Sequence, residues 1–168
     1  MYYRDLVRFD LGSFSELCGR RSIAPGAPEG DPPFAGVLGE IYPAGILRVA
    51  QRIAAMFGKP IYVTENGVAD RQDRLRPWEL AQAVRSLHQC LERGIDLRGY
   101  FHWSLVDNFE WAEGWRQRFG LISIDPRTQE RVPRPSAGLY SAVAHANALT
   151  PEMVAQHLAD TVRERPSR

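Results

Sequence analysis

The sequence predicts an α/β protein built on parallel strands, and three observations predict it. Ile61, Tyr62 and Val63 are β-branched or aromatic and bounded by Pro60 and Gly67, which reads as a strand buried between helices. A second apolar run starts at Tyr100, and helical patterns flank both. Strand, helix, strand, helix, strand is the order of right-handed parallel crossovers. In such sheets chemistry gathers at the carboxyl ends of the strands, and Glu65 falls where the first of these strands gives way to loop.

From the N-terminus, Tyr2 to Phe9 alternates apolar and charged residues, as a short strand does. Gly12 to Gly39 holds Pro25, Pro28, Pro32 and Pro33, has no sustained period and reads as a long loop. Pro43 opens a helix with Ile46, Ala50, Ile53 and Phe57 on one face and Gly58 as its stop. Pro77 starts a second helix, striped by Leu80, Val84, Leu87 and Leu91 and ended by Gly94. Leu121 to Ile124 reads as a short strand and Asp125-Pro126-Arg127-Thr128 as a turn. A helix from Pro135-Ser136 to about Ala146 and another from Pro151 to Val162 complete the chain before a charged end.

With 168 residues, residues 1–168 are one domain's worth. A closed barrel of eight strand–helix units typically needs about 250 residues, so only part of one fits. A net charge of +1 gives no pull toward nucleic acid or an anionic membrane. No run approaches the ~18 apolar residues of a membrane span, and Met1 to Asp5 has no apolar signal region. Cys18 and Cys90 form no Cys-x-x-Cys pair, which fits a reducing cytoplasm and indicates neither a disulfide framework nor a zinc site. His88, His102, His145 and His157 have no metal-ligand spacing, and phosphate-loop, dinucleotide and Gly-x-Ser-x-Gly motifs are missing, so we expect no metal and no cofactor.

The stretch from Tyr100 to Leu121 carries Trp103, Trp111 and Trp115 within thirteen residues, interleaved with Asp107, Glu110 and Glu113. A pyranose offers C–H faces that stack on indole and hydroxyls that need acceptors, which Glu110 and Asp107 could supply. A lone strand-end Glu is more often solvated or capping, and a lone Trp is more often core; the clustering of both types favours a sugar site.

Val63-Thr64-Glu65-Asn66-Gly67 together with Trp103-Ser104-Leu105-Val106-Asp107-Asn108-Phe109-Glu110-Trp111 and Arg118-Phe119-Gly120 resembles the signatures of glycoside hydrolase family 1, the retaining β-glycosidases, and most closely its archaeal branch. The likeness runs from Tyr2 to about His157 and covers the C-terminal third or so of the family's length. It implies the last roughly three units of a (β/α)8 barrel. It further implies Glu65 as nucleophile, Tyr3 as the tyrosine orienting it, Trp103 stacking under the sugar, Glu110 and Trp111 taking its hydroxyls, and Phe119 packing beside them.

The family's acid/base glutamate lies in an Asn-Glu-Pro segment that matches nothing in this chain. Met1 stands where the family has the Asn of Asn-Tyr-Tyr, and Gly39 where it often has tryptophan. The expected substrate is a β-glucoside or β-galactoside, with the acid/base half of the site absent from this chain. The rival readings are a catalytically inactive sugar-binding or interaction module and one part of a split enzyme. An open part-barrel leaves strand edges and an apolar face to cover, so self-association or a complementing N-terminal polypeptide is expected.

Overall fold

The structure is a computed structural model that describes the backbone of residues 3–4, 6–9, 19–22 and 40–163 and the side chains of residues 40–158. It is an α/β protein. Strands β1 (Tyr3–Arg4) and β4 (Glu40–Ile41) pair antiparallel, as do β2 (Leu6–Phe9) and β3 (Gly19–Ser22). The single strand expected over Tyr2 to Phe9 is therefore two short ones. β3 also falls inside the stretch read as loop. Gly19, Arg20 and Arg21 are poor strand formers, and the ladder that β2 offers, Phe9 opposite Gly19 through Leu6 opposite Ser22, overrides their local preference.

Helix α1 (Gly45–Phe57) leads to β5 (Ile61–Val63), α2 (Arg76–Glu92) to β6 (Leu97–Tyr100), and β5 and β6 pair in parallel. This strand–helix–strand unit is the one the sequence predicted. Gly58, at φ 58°, closes α1 by donating its N–H to the Ala54 carbonyl at 2.9 Å, a left-handed cap that suits glycine. Two of the predicted helix faces differ from the observed ones. In α1, Ile46, Leu47 and Ala50 are buried, whereas Ile53 is 38% and Phe57 63% exposed; the packed face belongs to the helix's first half. In α2, Leu80, Ala83, Leu87 and Cys90 are buried and Leu91 is exposed. The small Ala83 and Cys90 admit α1 closely, since Cys90 packs with Leu47 and Ala50, and Ala83 with Ile46.

Both helices cover the same face of β5–β6: Ile61, Leu97, Val63 and Tyr100 pack against them. On the other face Tyr62 is 54% exposed and lies over Gly99, where an added Cβ would stand 2.8 Å from its ring. β5 is thus covered on one side only, not buried as its apolar run suggested.

Beyond Tyr100 the chain crosses the aromatic stretch, in which Trp111–Glu113 is one 3-10 turn, and enters β7 (Ile122–Ile124). Asp125 holds the predicted turn by accepting from the Arg127 and Thr128 N–H groups, and β8 (Arg131–Pro133), which the sequence did not reveal, returns antiparallel to β7. Helix α3 (Pro135–Ala146) and α4 (Pro151–Arg163) follow. Leu80 and Ala81 of α2, Leu139 of α3 and Leu158 of α4 form the third apolar cluster. Burying a leucine is worth about 1.5–3 kcal/mol, so this cluster fixes α3 and α4 on α2. Among the described residues the strands form four two-stranded sheets, one of them parallel, and no closed barrel. Of the strands expected to run parallel, β5 and β6 do so, and the Tyr2–Phe9 region pairs antiparallel.

Candidate functional site

Glu65 stands two residues past the end of β5, and its segment is tied to the aromatic stretch by backbone bonds. Phe101 N–H donates to the Val63 carbonyl at 2.9 Å, Trp103 N–H to the Asn66 carbonyl at 2.8 Å, and Asp70 N–H to the Arg118 carbonyl at 3.0 Å. Gly67 is what permits this approach, because a Cβ there would stand 1.9 Å from the Trp103 carbonyl oxygen. The Trp103–Ser104 peptide is cis. Glu65 itself is exposed, and Trp103 is half-buried.

Glu110 reaches the same region through a short relay. Ser104 Oγ lies 2.8 Å from the Val106 carbonyl and 3.2 Å from Asn108 Oδ1, serving one at a time with its single hydrogen, and Asn108 Nδ2 donates to Glu110 Oε2 at 2.9 Å. Trp111, 85% exposed with φ at 47°, presents almost its whole indole to solvent. Phe119, by contrast, is 5% exposed, and its carbonyl accepts from Ser104 N–H at 3.2 Å, so it lies beneath the loop. Glu65, Trp103, Glu110 and Trp111 thus share one loop system. Tyr3 lies in β1 opposite Ile41; its side chain falls outside the described ones.

Asp107, which the sequence offered as a sugar acceptor, is committed elsewhere. It is 4% exposed; its oxygens accept from Gly120 N–H at 2.9 Å and from both Arg134 terminal nitrogens at 3.1 and 2.9 Å, with Arg118 at 3.6 Å. The Gly120 bond closes the aromatic stretch on itself, and the bidentate pair ties it to Arg134 at the start of α3. Gly120 takes part through size: a Cβ would stand 2.2 Å from the Asp107 nitrogen. Arg118 also lies over the Trp115 ring, with its Cζ 5.8 Å from the centroid, and Phe109 meets Trp115 edge-on at 6.2 Å.

A second buried layer lies behind Glu65, and the sequence reading missed it. Asp70 Oδ2 accepts from the Leu75 and Arg76 N–H groups at 2.7 and 2.9 Å and so caps α2. Asp73 caps α3, accepting from Ser136 N–H and Oγ, each at 2.7 Å. Arg76, wholly buried, pairs with Asp73 and donates to the Asp70 and Arg118 carbonyls at 2.6 and 2.7 Å, joining the Glu65 segment, the aromatic stretch and two helix starts. Two acidic residues just ahead of a Pro-started helix were the available sequence signal.

Burial raises the Glu79 carboxyl to about 7, against the opposing pull of Asn66 and Arg76. Burial, with the Arg76 charge, lowers His102 to about 3, so its ring is neutral. Among the described residues no group of His, Cys, Asp and Glu is placed to hold a metal ion, and no helix is long and apolar enough to cross a membrane.

An exposed strand-end carboxylate joined to a loop of tryptophans and a second carboxylate, on an α/β scaffold, is the class of site this chain presents. The chain belongs to glycosyl hydrolase family 1, whose family model matches residues 30–149. It is 38% identical over 159 residues to a β-galactosidase of Saccharolobus solfataricus, covering 94% of this chain and 31% of that protein. A β-glycosidase from Pyrococcus horikoshii superposes with a TM-score of 0.77 at 32% identity, over 94% of this chain and 36% of the other. A Thermotoga maritima β-glucosidase solved in complex with galacto-hydroximolactam superposes at 0.76 and 31% identity, over 89% and 34%. The chain therefore spans about a third of the length of the relatives it matches.

Proposed function

We propose that this chain carries the nucleophile and sugar-binding half of a retaining β-glycosidase acting on β-glucosides and β-galactosides. Residues 1–168 then form a single domain, the last roughly three strand–helix units of a (β/α)8 barrel, with α1–β5 and α2–β6 as successive units. The observation that carries this reading is the joining of the Glu65 segment to the Trp103–Phe119 loop through Phe101, Trp103 and Gly67.

In the reaction a Glu65 carboxylate oxygen attacks the anomeric carbon, the bond from that carbon to the leaving oxygen breaks, and the leaving oxygen takes a proton from an acid. Water then attacks the glycosyl-enzyme ester and releases Glu65 and the sugar. Tyr3 orients the nucleophile, Trp103 supports the sugar face, Glu110 and Trp111 take its hydroxyls, and Phe119 backs them from below. The partner carboxyl must stand about 5–5.5 Å from Glu65. Residues 1–168 hold no Asn-Glu-Pro segment to supply it, so the acid comes from the part of the family's length that lies outside these residues.

The test is labelling by a 2-fluoro dinitrophenyl β-glycoside, whose good leaving group needs little acid assistance, read by intact mass and peptide mapping. One glycosyl unit at Glu65 is expected, with none in Glu65→Gln. Label elsewhere, or equal label in the variant, would remove Glu65 from its role.

A further inference from the structure

Glu110 is held in place by a neighbour that the reaction above does not use. Its backbone is closed into a turn: its N–H donates to the Gly114 carbonyl at 2.7 Å, and its own carbonyl accepts from Glu113 N–H at 2.9 Å. That leaves the side chain to be fixed separately. Asn108 does so, donating from Nδ2 to Glu110 Oε2 at 2.9 Å, a bond between two half-buried residues. Among the described residues Glu110 Oε1 meets no hydrogen-bond partner, and no Lys or Arg pairs with the carboxylate. We propose that Asn108 is a positioning residue for the sugar site: it ties down one oxygen of Glu110 and turns the other to the sugar's hydroxyls.

The amide can point only one way. A carboxylate has no hydrogen to give, so Asn108 presents its NH2 to Glu110 and its Oδ1 to the other side, where the Ser104 hydroxyl lies at 3.2 Å. Ser104 is 8% exposed and anchored at both backbone groups: its N–H donates to the Phe119 carbonyl at 3.2 Å, and its carbonyl accepts from Leu121 N–H at 2.8 Å. Ser104 directly follows Trp103, so the residue that supports the sugar face and the one that takes its hydroxyls hang from a single anchor. A free Glu side chain loses rotamer freedom when it is ordered, and one already fixed by Asn108 leaves less ordering for sugar binding. The effect on the sugar rests on the reading of Glu110 as its acceptor; the Asn108–Glu110 bond does not.

Two measurements on the full chain separate these. In ¹H–¹⁵N spectra the Asn108 side-chain amide should shift, and exchange faster with solvent, in Glu110→Ala than in wild type. An unchanged amide overturns the proposal, whatever Glu65 does. The second measurement is the rate of labelling at Glu65 by the 2-fluoro dinitrophenyl β-glucoside and β-galactoside. Asn108→Ala should label about tenfold more slowly than wild type, through loss of a charge-assisted bond to the acceptor. Glu110→Gln should also slow, because Asn108 then holds the new amide's oxygen and leaves its NH2 facing the sugar. Adding Asn108→Asp reverses that bond: the new carboxylate takes the NH2, still accepts from Ser104, and turns the amide oxygen back to the sugar. The double variant should therefore label about fivefold faster than Glu110→Gln alone. A merely structural asparagine predicts the opposite order, since the two losses would add. Asn108→Ala at the wild-type rate, or a double variant no faster than Glu110→Gln, overturns the proposal while a slow Glu110→Gln keeps Glu110 in the site. If Asn108→Ala does not fold, the double variant decides. No label in wild type overturns the reading of Glu65 instead, and the amide spectrum then decides.

Discussion

At the scale of single residues, two buried titratable groups pull stability in opposite directions. Glu79 has its folded pKa raised from 4.5 to about 7, so its stabilising contribution is full below 4.5 and lost as pH rises to 7. That shift corresponds to roughly 3 kcal/mol. His102 has its folded pKa lowered from 6.5 to about 3, so its contribution is full above 6.5 and lost as pH falls toward 3. Between pH 4.5 and 6.5 the two slopes cancel. Relative to wild type, Glu79→Gln should therefore gain a stability that rises with pH across that window, and His102→Phe one that falls through it to pH 7. Urea unfolding at a series of pH values measures both, and parallel profiles in all three chains would refute the assignment. In the sugar site, Glu110→Ala removes charge-assisted bonds and should cost about 2–4 kcal/mol of transition-state stabilisation in an enzyme completed by its acid/base half. Because a carboxylate accepts from either epimer at the sugar's O4, the same change should narrow any difference between glucoside and galactoside. The check is kcat/KM on both substrates; unchanged values would remove Glu110 from the site.

At the scale of elements, the aromatic stretch holds its shape by a buried ion pair more than by packing, since Phe109, Leu105 and Trp111 are all exposed. Asp107 accepts two bonds from Arg134, across a separation of 27 residues, and a third from Gly120 N–H. Removing one partner leaves the other charge buried, so Arg134→Ala should destabilise the chain by about 3–5 kcal/mol. Denaturant unfolding followed by tryptophan fluorescence is the measurement, because Trp103, Trp111 and Trp115 all lie on this stretch. A cost below about 1 kcal/mol, the worth of an exposed pair, would show the pair to be open to solvent. This element also shows what a sequence can and cannot disclose. The strand at Ile61 to Val63, the two crossover helices and the segment joining Glu65 to Gly67 were legible because periodicity and short-range residue order set them. The Asp107–Arg134 pair, the cap that Asp73 places on α3, and the β2–β3 ladder depend on partners far apart in the chain. So does the true face of α1, where Leu47 is buried because Cys90 is small.

At the scale of the whole molecule, the decisive feature is a sheet pair covered on one side. Tyr62 and Phe101, whose rings flank Gly99 of β6, are more than half exposed, and Leu105 is exposed farther along the chain. Val49, Ile53, Met56 and Phe57 add an exposed apolar strip along α1. Neither β5 nor β6 has a second neighbour among the described residues, so each presents an unpaired edge. Exposed aromatics beside open edges favour association, and covering them removes apolar area from water at about 25 cal/mol per Å². On its own the chain should therefore sediment as dimers or larger species at micromolar concentration. A polypeptide bearing the rest of the family's length should dissolve these species into a one-to-one complex, raise the melting temperature and bring turnover that Glu65→Gln abolishes. The association and the turnover are separable. Single-site changes of Tyr62 and Phe101 to Ser should weaken self-association without touching Glu65. Analytical ultracentrifugation of the chain alone, the double variant and the mixture decides the matter: a monomeric, cooperatively melting chain that ignores the added polypeptide would show that the open face needs no cover.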